Sequence, residues 1–285
     1  MSAVETNIAG RTLRLTSLDK VLWPAAGFTK ADLIDYYAGI ADVLLPHIAG
    51  RPITLGRWPA GVDGRGFGQI ECRGAPDWVA TRRLQLRGGE VRNFCLIDDL
   101  PSLVWAANLG TLEFHTYLGG GPGAEDAAVA LFDLDPLAGA TVLDAARLAL
   151  ALRAVLEAWQ LDASVKASGG DGLHVVVPLN TPHDFAHIRS FCRDVAAQVD
   201  TRAVNIDCAQ NHPRLSLIAP YSLRAAVHPR VAAPLQWGEL AQAVERADPQ
   251  AITFTAPQMR RRVADLGDVF APVLRLEQRL PARVT

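Results

Sequence analysis

The carboxylates of Asp133 and Asp135, in Phe132-Asp133-Leu134-Asp135-Pro136, have a spacing that can hold hard divalent cations. The run closes a candidate strand over residues 128–135. Side chains alternate along a strand, so the two aspartates share one face while Phe132 and Leu134 take the other. At about 3.3 Å per residue their α-carbons stand roughly 7 Å apart. Two divalent ions about 3.5–4 Å apart can clamp the attacking and leaving oxygens of a phosphoryl transfer. Taken alone, Asp-x-Asp is expected about once by chance in a chain of this size, and a solvated strand end with a proline stop is the plainer reading. Asp207, ending the short apolar stretch Val204-Asn205-Ile206-Asp207, offers a third carboxylate, although a lone aspartate there is also an ordinary turn-former.

A second group of residues suits phosphate. Ser168-Gly169-Gly170-Asp171-Gly172-Leu173-His174 joins two candidate strands, and its glycines let backbone N–H groups turn toward an anion. It lacks the G-K-[ST] ending and following helix of a Walker A loop, and a hairpin with an Asp-Gly turn is the competing reading. His115, in Leu112-Glu113-Phe114-His115, and Arg224, in Ala219-Pro220-Tyr221-Ser222-Leu223-Arg224, can each neutralise triphosphate charge. Either can equally be a structural residue, a satisfied histidine or an arginine paired with an acid.

The elements that must carry these groups are legible in outline. Thr29 is a candidate N-cap for a helix through about Leu45, with Leu33, Tyr36, Ile40 and Leu44 on its apolar face. A short helix is expected over 101–109 and a strand over 112–117. A long Ala/Leu-rich helix follows over 142–159, with strands at 164–168 and 173–178. A helix over 184–199, short strands near 204–207 and 215–219, and a closing helix over 237–246 complete the pattern. Strands joined by hairpins and mixed with helices predict an α+β fold rather than a doubly wound parallel sheet. No repeat or long linker divides the chain, so a single domain over 1–285 is expected, its weakest seam the glycine-rich loop at residues 119–125.

Composition narrows the partners. The 285 residues are 49% apolar and 20% charged, as in an ordinary folded protein, and the formal charge of −2 excludes a global polycation. Nucleic-acid contact must then come from a local patch, for which Arg82, Arg83, Arg87, Arg92 and Arg260–Arg262 are candidates. Cys72, Cys95, Cys192 and Cys208 form no C-x-x-C pair, so neither a zinc site nor a disulfide framework is expected. The amino terminus is too polar for a signal peptide and no run of about 18 apolar residues occurs, so no membrane role and a cytoplasmic location are expected.

Taken together and in order, these segments resemble the polymerase domain of bacterial ligase D, within the archaeo-eukaryotic primase superfamily. The resemblance runs from about Leu15 to Leu240. It takes in Leu18-Asp19-Lys20-Val21-Leu22-Trp23-Pro24, Asp35-Tyr36-Tyr37, Gly50-Arg51-Pro52, Arg57-Trp58-Pro59, Glu113-Phe114-His115, the Asp133 and Asp135 run, Gly172-Leu173-His174 and the Arg224 segment. It implies a primase-polymerase fold with mixed, largely antiparallel sheets flanked by helices. It also implies a template-dependent nucleotidyltransferase that uses two Mn2+ (or Mg2+) ions and nucleoside triphosphates, acting at gaps or 5′-phosphorylated DNA ends in repair or end joining. By the same resemblance Asp133, Asp135 and Asp207 are the metal-binding catalytic triad, and His115, Ser168 and Arg224 hold the incoming nucleotide. Lys20 and Lys30 grip the DNA 5′-phosphate, and Phe67 stacks on the template. A separate DNA ligase and an end-binding protein are the implied partners.

The chain departs from that pattern at four places. Asp171 stands where the family's turn carries lysine, and Gly56 where a lysine precedes Arg-Trp-Pro. Gly68 replaces a second aromatic beside Phe67, and the stretch before Asp207 is shortened. An aspartate beside a triphosphate exchanges attraction for repulsion, worth about 4 kcal/mol for a close pair at an effective dielectric near 20 before screening. Weak nucleotide affinity is expected. The alternatives are therefore a catalytically weak or inactive 5′-phosphate end-binding module that recruits a ligase, and a metal-binding hydrolase with no nucleic-acid role.

Overall fold

The computed structural model describes residues 3–86, 88–118 and 127–281. The seam expected at residues 119–125, and Arg87, lie outside them. Strand pairing among the described residues is antiparallel throughout, and the α+β class expected from the sequence is what the chain adopts. The chain forms two compact units, each assembled from three separate chain segments: 1–117, 216–231 and 255–267 in the first, 118–215, 232–254 and 268–285 in the second.

The first unit is built on a sheet ordered Ser216–Ile218, Thr111–Tyr117, Ile53–Arg57, Val91–Cys95, Thr81–Gln85, with Phe67–Gln69 also pairing Ile53–Arg57. Leu55, Phe94, Leu112 and Phe114 are buried, as are Tyr36 and Tyr37 from the helix Lys30–Gly39. That helix opens as its sequence predicts. Thr29 Oγ1 accepts from the Asp32 N–H at 3.2 Å while Asp32 Oδ2 accepts from the Thr29 N–H at 2.7 Å, a reciprocal capping box. The single helix expected through Leu45 is instead two, Lys30–Gly39 and Ala41–Ile48, broken at Ile40 (φ −114°, ψ 10°). Gly39, a poor helix former, ends the first of them, and a Cβ there would lie 2.8 Å from Nε of Arg260, which is ion-paired with Asp35.

Cys72 and Cys95 are joined by a disulfide, with α-carbons 4.9 Å apart, which corrects the expectation of none. The 23-residue separation hides the pairing in the sequence. The Cys72 N–H donates to the Asn93 carbonyl at 2.7 Å, so the chain there runs beside the strand that ends in Cys95.

The second unit holds a sheet ordered Val204–Asp207, Val129–Pro136, Leu173–Pro178, Ser164–Ala167, Pro234–Leu235. Leu131, Phe132, Leu134, Val175 and Val177 are buried, and the helices Val142–Ala158 and Phe185–Ala196 contribute Leu152, Leu156, Ile188 and Phe191 to the core. The helix Trp237–Glu245 was expected to be the last. Among the described residues two more follow, Ala256–Leu266 in the first unit and Pro272–Arg275 in the second. No helix among the described residues is long and apolar enough to cross a membrane.

Candidate functional site

In the second unit, strand register arranges the acidic residues. Asp133 lies directly across from Asp207 on one neighbouring strand and from His174 on the other. Residues opposed in an antiparallel pair project to the same face, with Cβ atoms about 4.5–5.5 Å apart. Asp207, Asp133 and His174 thus form one row across three strands, and Lys166, paired with His174, extends it to a fourth. Asp135, two residues along, shares that face, while Phe132 and Leu134 are buried on the other, as the alternation predicted. His174 is 3% exposed, and its Nε2 lies 3.2 Å from Asp133 Oδ1.

The glycine turn closes over the same place. Ser168 N–H donates to the Gly172 carbonyl at 2.9 Å, and Ser168 Oγ accepts from the Gly170 N–H at 3.3 Å. A Cβ at Gly172 would fall 2.7 Å from the Leu134 carbonyl oxygen, 3.2 Å from Asp135 Oδ1 and 3.5 Å from Ser168 Oγ. Glycine is required there because the turn lies directly on the acidic strand, and Ser168 is thereby brought to Asp135. Burial, followed by the charges of Asp133 and Asp207, raises the Asp135 carboxyl above its ordinary pKa. Three like charges in this relation are what a hard cation relieves, and an all-oxygen donor set suits Mg2+ or Mn2+. The donor chemistry fits. Among the described residues, however, no three such side chains are already closed into a cage. Asp207 Oδ1 instead accepts from the Ala209 N–H at 2.9 Å, capping the short turn after its strand.

In the first unit, His115 and Arg224 meet on a carboxylate that sequence reasoning did not single out. Glu113 Oε2 lies 2.8 Å from His115 Nε2 and accepts from Arg224 Nη1 at 3.3 Å, while Oε1 accepts from the Ala225 N–H at 2.8 Å. Glu113 and His115 are two apart on one strand and so share a face. Arg224 is delivered by a turn whose Tyr221 has a positive φ of 64°, a conformation that needs support. Support comes from the paired tyrosines of the helix Lys30–Gly39. Tyr36 Oη donates to the Tyr221 carbonyl at 2.7 Å, and Tyr37 Oη accepts from the Leu223 N–H at 3.0 Å. Ser222 Oγ accepts from the Phe114 N–H at 2.9 Å, tying the turn to the strand that carries Glu113 and His115.

The departure at Gly56 has a structural cause. Gly56 lies across from Glu113, and a Cβ there would sit 2.9 Å from Glu113 Cβ and 3.1 Å from the Trp58 ring. The position has no room for a lysine stem. Gly68 differs: its Cβ would meet only Thr54 Cγ2, at 3.4 Å.

Lys20 and Lys30 are also brought together. The Lys30 N–H donates to the Lys20 carbonyl at 2.8 Å, and the Lys20 N–H closes a turn onto the Ser17 carbonyl at 3.1 Å. Lys20 is exposed, whereas Lys30 is buried, its Nζ donating to the Thr16 carbonyl at 2.6 Å. Burial first, then the charges of Lys20 and Arg57, lowers the Lys30 pKa to about 8. Arg57, a third cation of this cluster, was legible only as part of a motif. Its Nη2 donates to the Leu109 carbonyl at 2.8 Å, and its guanidinium carbon sits 5.4 Å from the centroid of the exposed Phe67 ring. The other expected arginine patches are partly engaged with acids: Arg92 with Glu71 and Glu90, Arg260 with Asp35.

Comparison with known proteins bears on the whole arrangement. The family described as LigD, primase-polymerase domain, matches residues 29–270. The multifunctional non-homologous end joining protein LigD of Mycolicibacterium smegmatis is 35% identical over 282 residues, covering 92% of this chain and 36% of the relative. The bifunctional non-homologous end joining protein LigD of Bacillus subtilis is 27% identical over 287 residues, covering 94% of this chain and 45% of the relative. The chain therefore spans less than half the length of these relatives. Among solved structures, the polymerase domain of Mycobacterium tuberculosis ligase D in complex with DNA superposes with a TM-score of 0.83 at 35% identity, covering 92% of this chain and 98% of that one.

Proposed function

The chain belongs to the LigD primase-polymerase domain family, and from that membership we propose that it is a template-directed nucleotidyltransferase. Its substrates in this reading are nucleoside triphosphates and DNA with gaps or 5′-phosphorylated ends, and its process is end joining, in the cytoplasm. The observation that carries the proposal is the row Asp207, Asp133 and His174 on one sheet face, with Asp135 and Ser168 beside it.

In the reaction a primer 3′-hydroxyl attacks the α-phosphorus of the triphosphate and pyrophosphate leaves. Divalent ions held by Asp133, Asp135 and Asp207 would stabilise charge on the attacking and leaving oxygens, manganese being the ion the family resemblance suggests. Ser168 and the N–H groups of its turn bind phosphate oxygens. His115 and Arg224 balance triphosphate charge. Lys20 and Lys30, joined by the Lys30 N–H to Lys20 carbonyl bond, hold the 5′-phosphate beyond the gap. Phe67 stacks on the template.

Extension of a labelled primer across a short gap bearing a downstream 5′-phosphate, with manganese and ribo- or deoxyribonucleotides, tests this. Templated addition that disappears in Asp133→Ala/Asp135→Ala, with DNA binding retained, is the expected result. Undiminished addition by the double variant would overturn it.

A second reading has its own observation. The cation cluster around Lys20 and Lys30 is complete, while Gly56 excludes a lysine stem and Asp171 stands in the phosphate turn. A 5′-phosphate end-binding module that works with a separate ligase and an end-binding protein would bind the gapped DNA in a phosphate-dependent way. It would add nothing even at millimolar nucleotide.

A further inference from the structure

We propose that Glu113 is a positioning residue of the nucleotide site, a buried carboxylate that fixes the His115 imidazole and the Arg224 guanidinium to face a triphosphate. The inference rests on the nucleotide-binding role given above to His115 and Arg224.

Three observations lead to it. The first is convergence: both Glu113 oxygens are committed, one shared by His115 at 2.8 Å and Arg224 at 3.3 Å, the other held by the Ala225 N–H at 2.8 Å. The second is the gradient of exposure. The Glu113 side chain is 9% exposed, while His115 and Arg224 retain 23% and 34%. The acid lies behind, with the imidazole and the guanidinium in front, so the outward edges of both remain open to an anion. A guanidinium has five N–H donors, and one bond to Glu113 leaves others for phosphate oxygens. The third is cost. A buried carboxylate is retained only where its partners compensate desolvation, and here burial's tendency to raise the Glu113 pKa is outweighed by His115, Arg224 and the Ala225 N–H.

Glu113 also sets what the site lacks. It lies across from Gly56, where a side chain would collide with Glu113 Cβ and Trp58. The imidazole and guanidinium that Glu113 organises thus stand beside a position where a lysine at 56 would be overpacked. Their orientation is correspondingly more important to nucleotide affinity.

The test compares wild type, Glu113→Gln, Arg224→Ala and the double variant in gap filling, with the nucleotide KM, kcat and gapped-DNA affinity measured separately. Glutamine keeps the shape but puts an N–H₂ where a lone pair was, so about a tenfold rise in nucleotide KM is expected. The kcat should change much less and DNA affinity stay within twofold. In the Arg224→Ala background the same substitution should cost about threefold or less, because a residue acting through Arg224 loses its lever when Arg224 is gone. Glu113→Asp, which keeps the charge, should recover part of the KM.

A Glu113→Gln enzyme with wild-type KM, or a penalty of equal size in both backgrounds, overturns the positioning role and leaves the polymerase reading standing. A wild type that neither adds nor binds nucleotide sinks that reading and this inference with it.

Discussion

Two carboxylate sites in this molecule are opposite in electrostatic design. Glu113 is surrounded by donors: His115, Arg224 and a backbone N–H meet it, and its pKa is held below the ordinary glutamate value although burial works against that. Asp135 is surrounded by acids, and its pKa is raised by burial and by the charges of Asp133 and Asp207. A carboxylate satisfied by its own protein stabilises the fold and orients its partners. A carboxylate kept beside like charges leaves its compensation to something that binds, and in this family reading that is a divalent cation. The contrast separates a site that is finished on folding from one that is completed by ligands.

The sharpest way to break this comparison is substitution. Asp135→Asn removes a repulsion, so it should abolish nucleotide addition while leaving stability unchanged or raising it by up to about 1 kcal/mol. Glu113→Ala leaves its partners unpaired and should lower stability by about 1–3 kcal/mol. Urea unfolding of both variants beside the wild type checks the difference, and equal destabilisation would erase the distinction.

The pH dependence should carry opposite signs. Because the folded pKa of Glu113 lies below that of the unfolded chain, its stabilisation is present above about 4.5 and is lost as pH falls through the folded value. Asp135 has a raised folded pKa, so its contribution runs the other way: stability declines as pH rises from about 3.9 through the folded value. Unfolding free energies between pH 3 and 7, in EDTA, should show a shallower acid loss in Glu113→Gln and a steeper one in Asp135→Asn.

Packing around Glu113 supplies an effect no larger than these. Gly56→Lys should cost about 1–3 kcal/mol through overpacking against Glu113 and Trp58 and should bring no gain in nucleotide affinity. Gly68→Phe, where the space is open, should stay within about 0.5 kcal/mol in the same urea-unfolding assay. At Lys30 the effect is on DNA preference, because burial brings the loss of its charge close to neutral pH. With a pKa of about 8, its positive charge is lost as pH rises through that value, and preference for a 5′-phosphate over a 5′-hydroxyl end should fall about twofold to fivefold between pH 7 and 9. A flat preference would mean that Lys20 carries the contact alone.

Sequence periodicity placed the acidic strand well. The alternation of Phe132, Asp133, Leu134 and Asp135 needs only the period-two geometry of a strand, and the strands Leu173–Pro178 and Val204–Asp207 fall where apolar runs ended at turn residues. Thr29 was legible as a cap because capping is local chemistry. The break at Ile40 was not, because the apolar spacing runs on through Leu44 while the backbone leaves the helix at Ile40. The hairpin Ala3–Ile8 with Arg11–Thr16, the disulfide, and the helices after 246 escaped as well, since short polar strands and distant cysteines leave no periodic trace.

By itself, then, the sequence determined which residue types are present and the faces on which local geometry sets them: two aspartates on one side of a strand, a glycine turn between two others, a lysine at a capped helix start. Only the tertiary structure decided which of these meet. Register put Asp207 and His174 on either side of Asp133. A tyrosine-braced turn carried Arg224 across 111 positions to Glu113. The approach of Glu113 and Trp58 closed the space at Gly56. The physical reason is that backbone alternation and capping act over a few residues, whereas cross-strand pairing, burial and charge compensation depend on distances that chain separation does not encode.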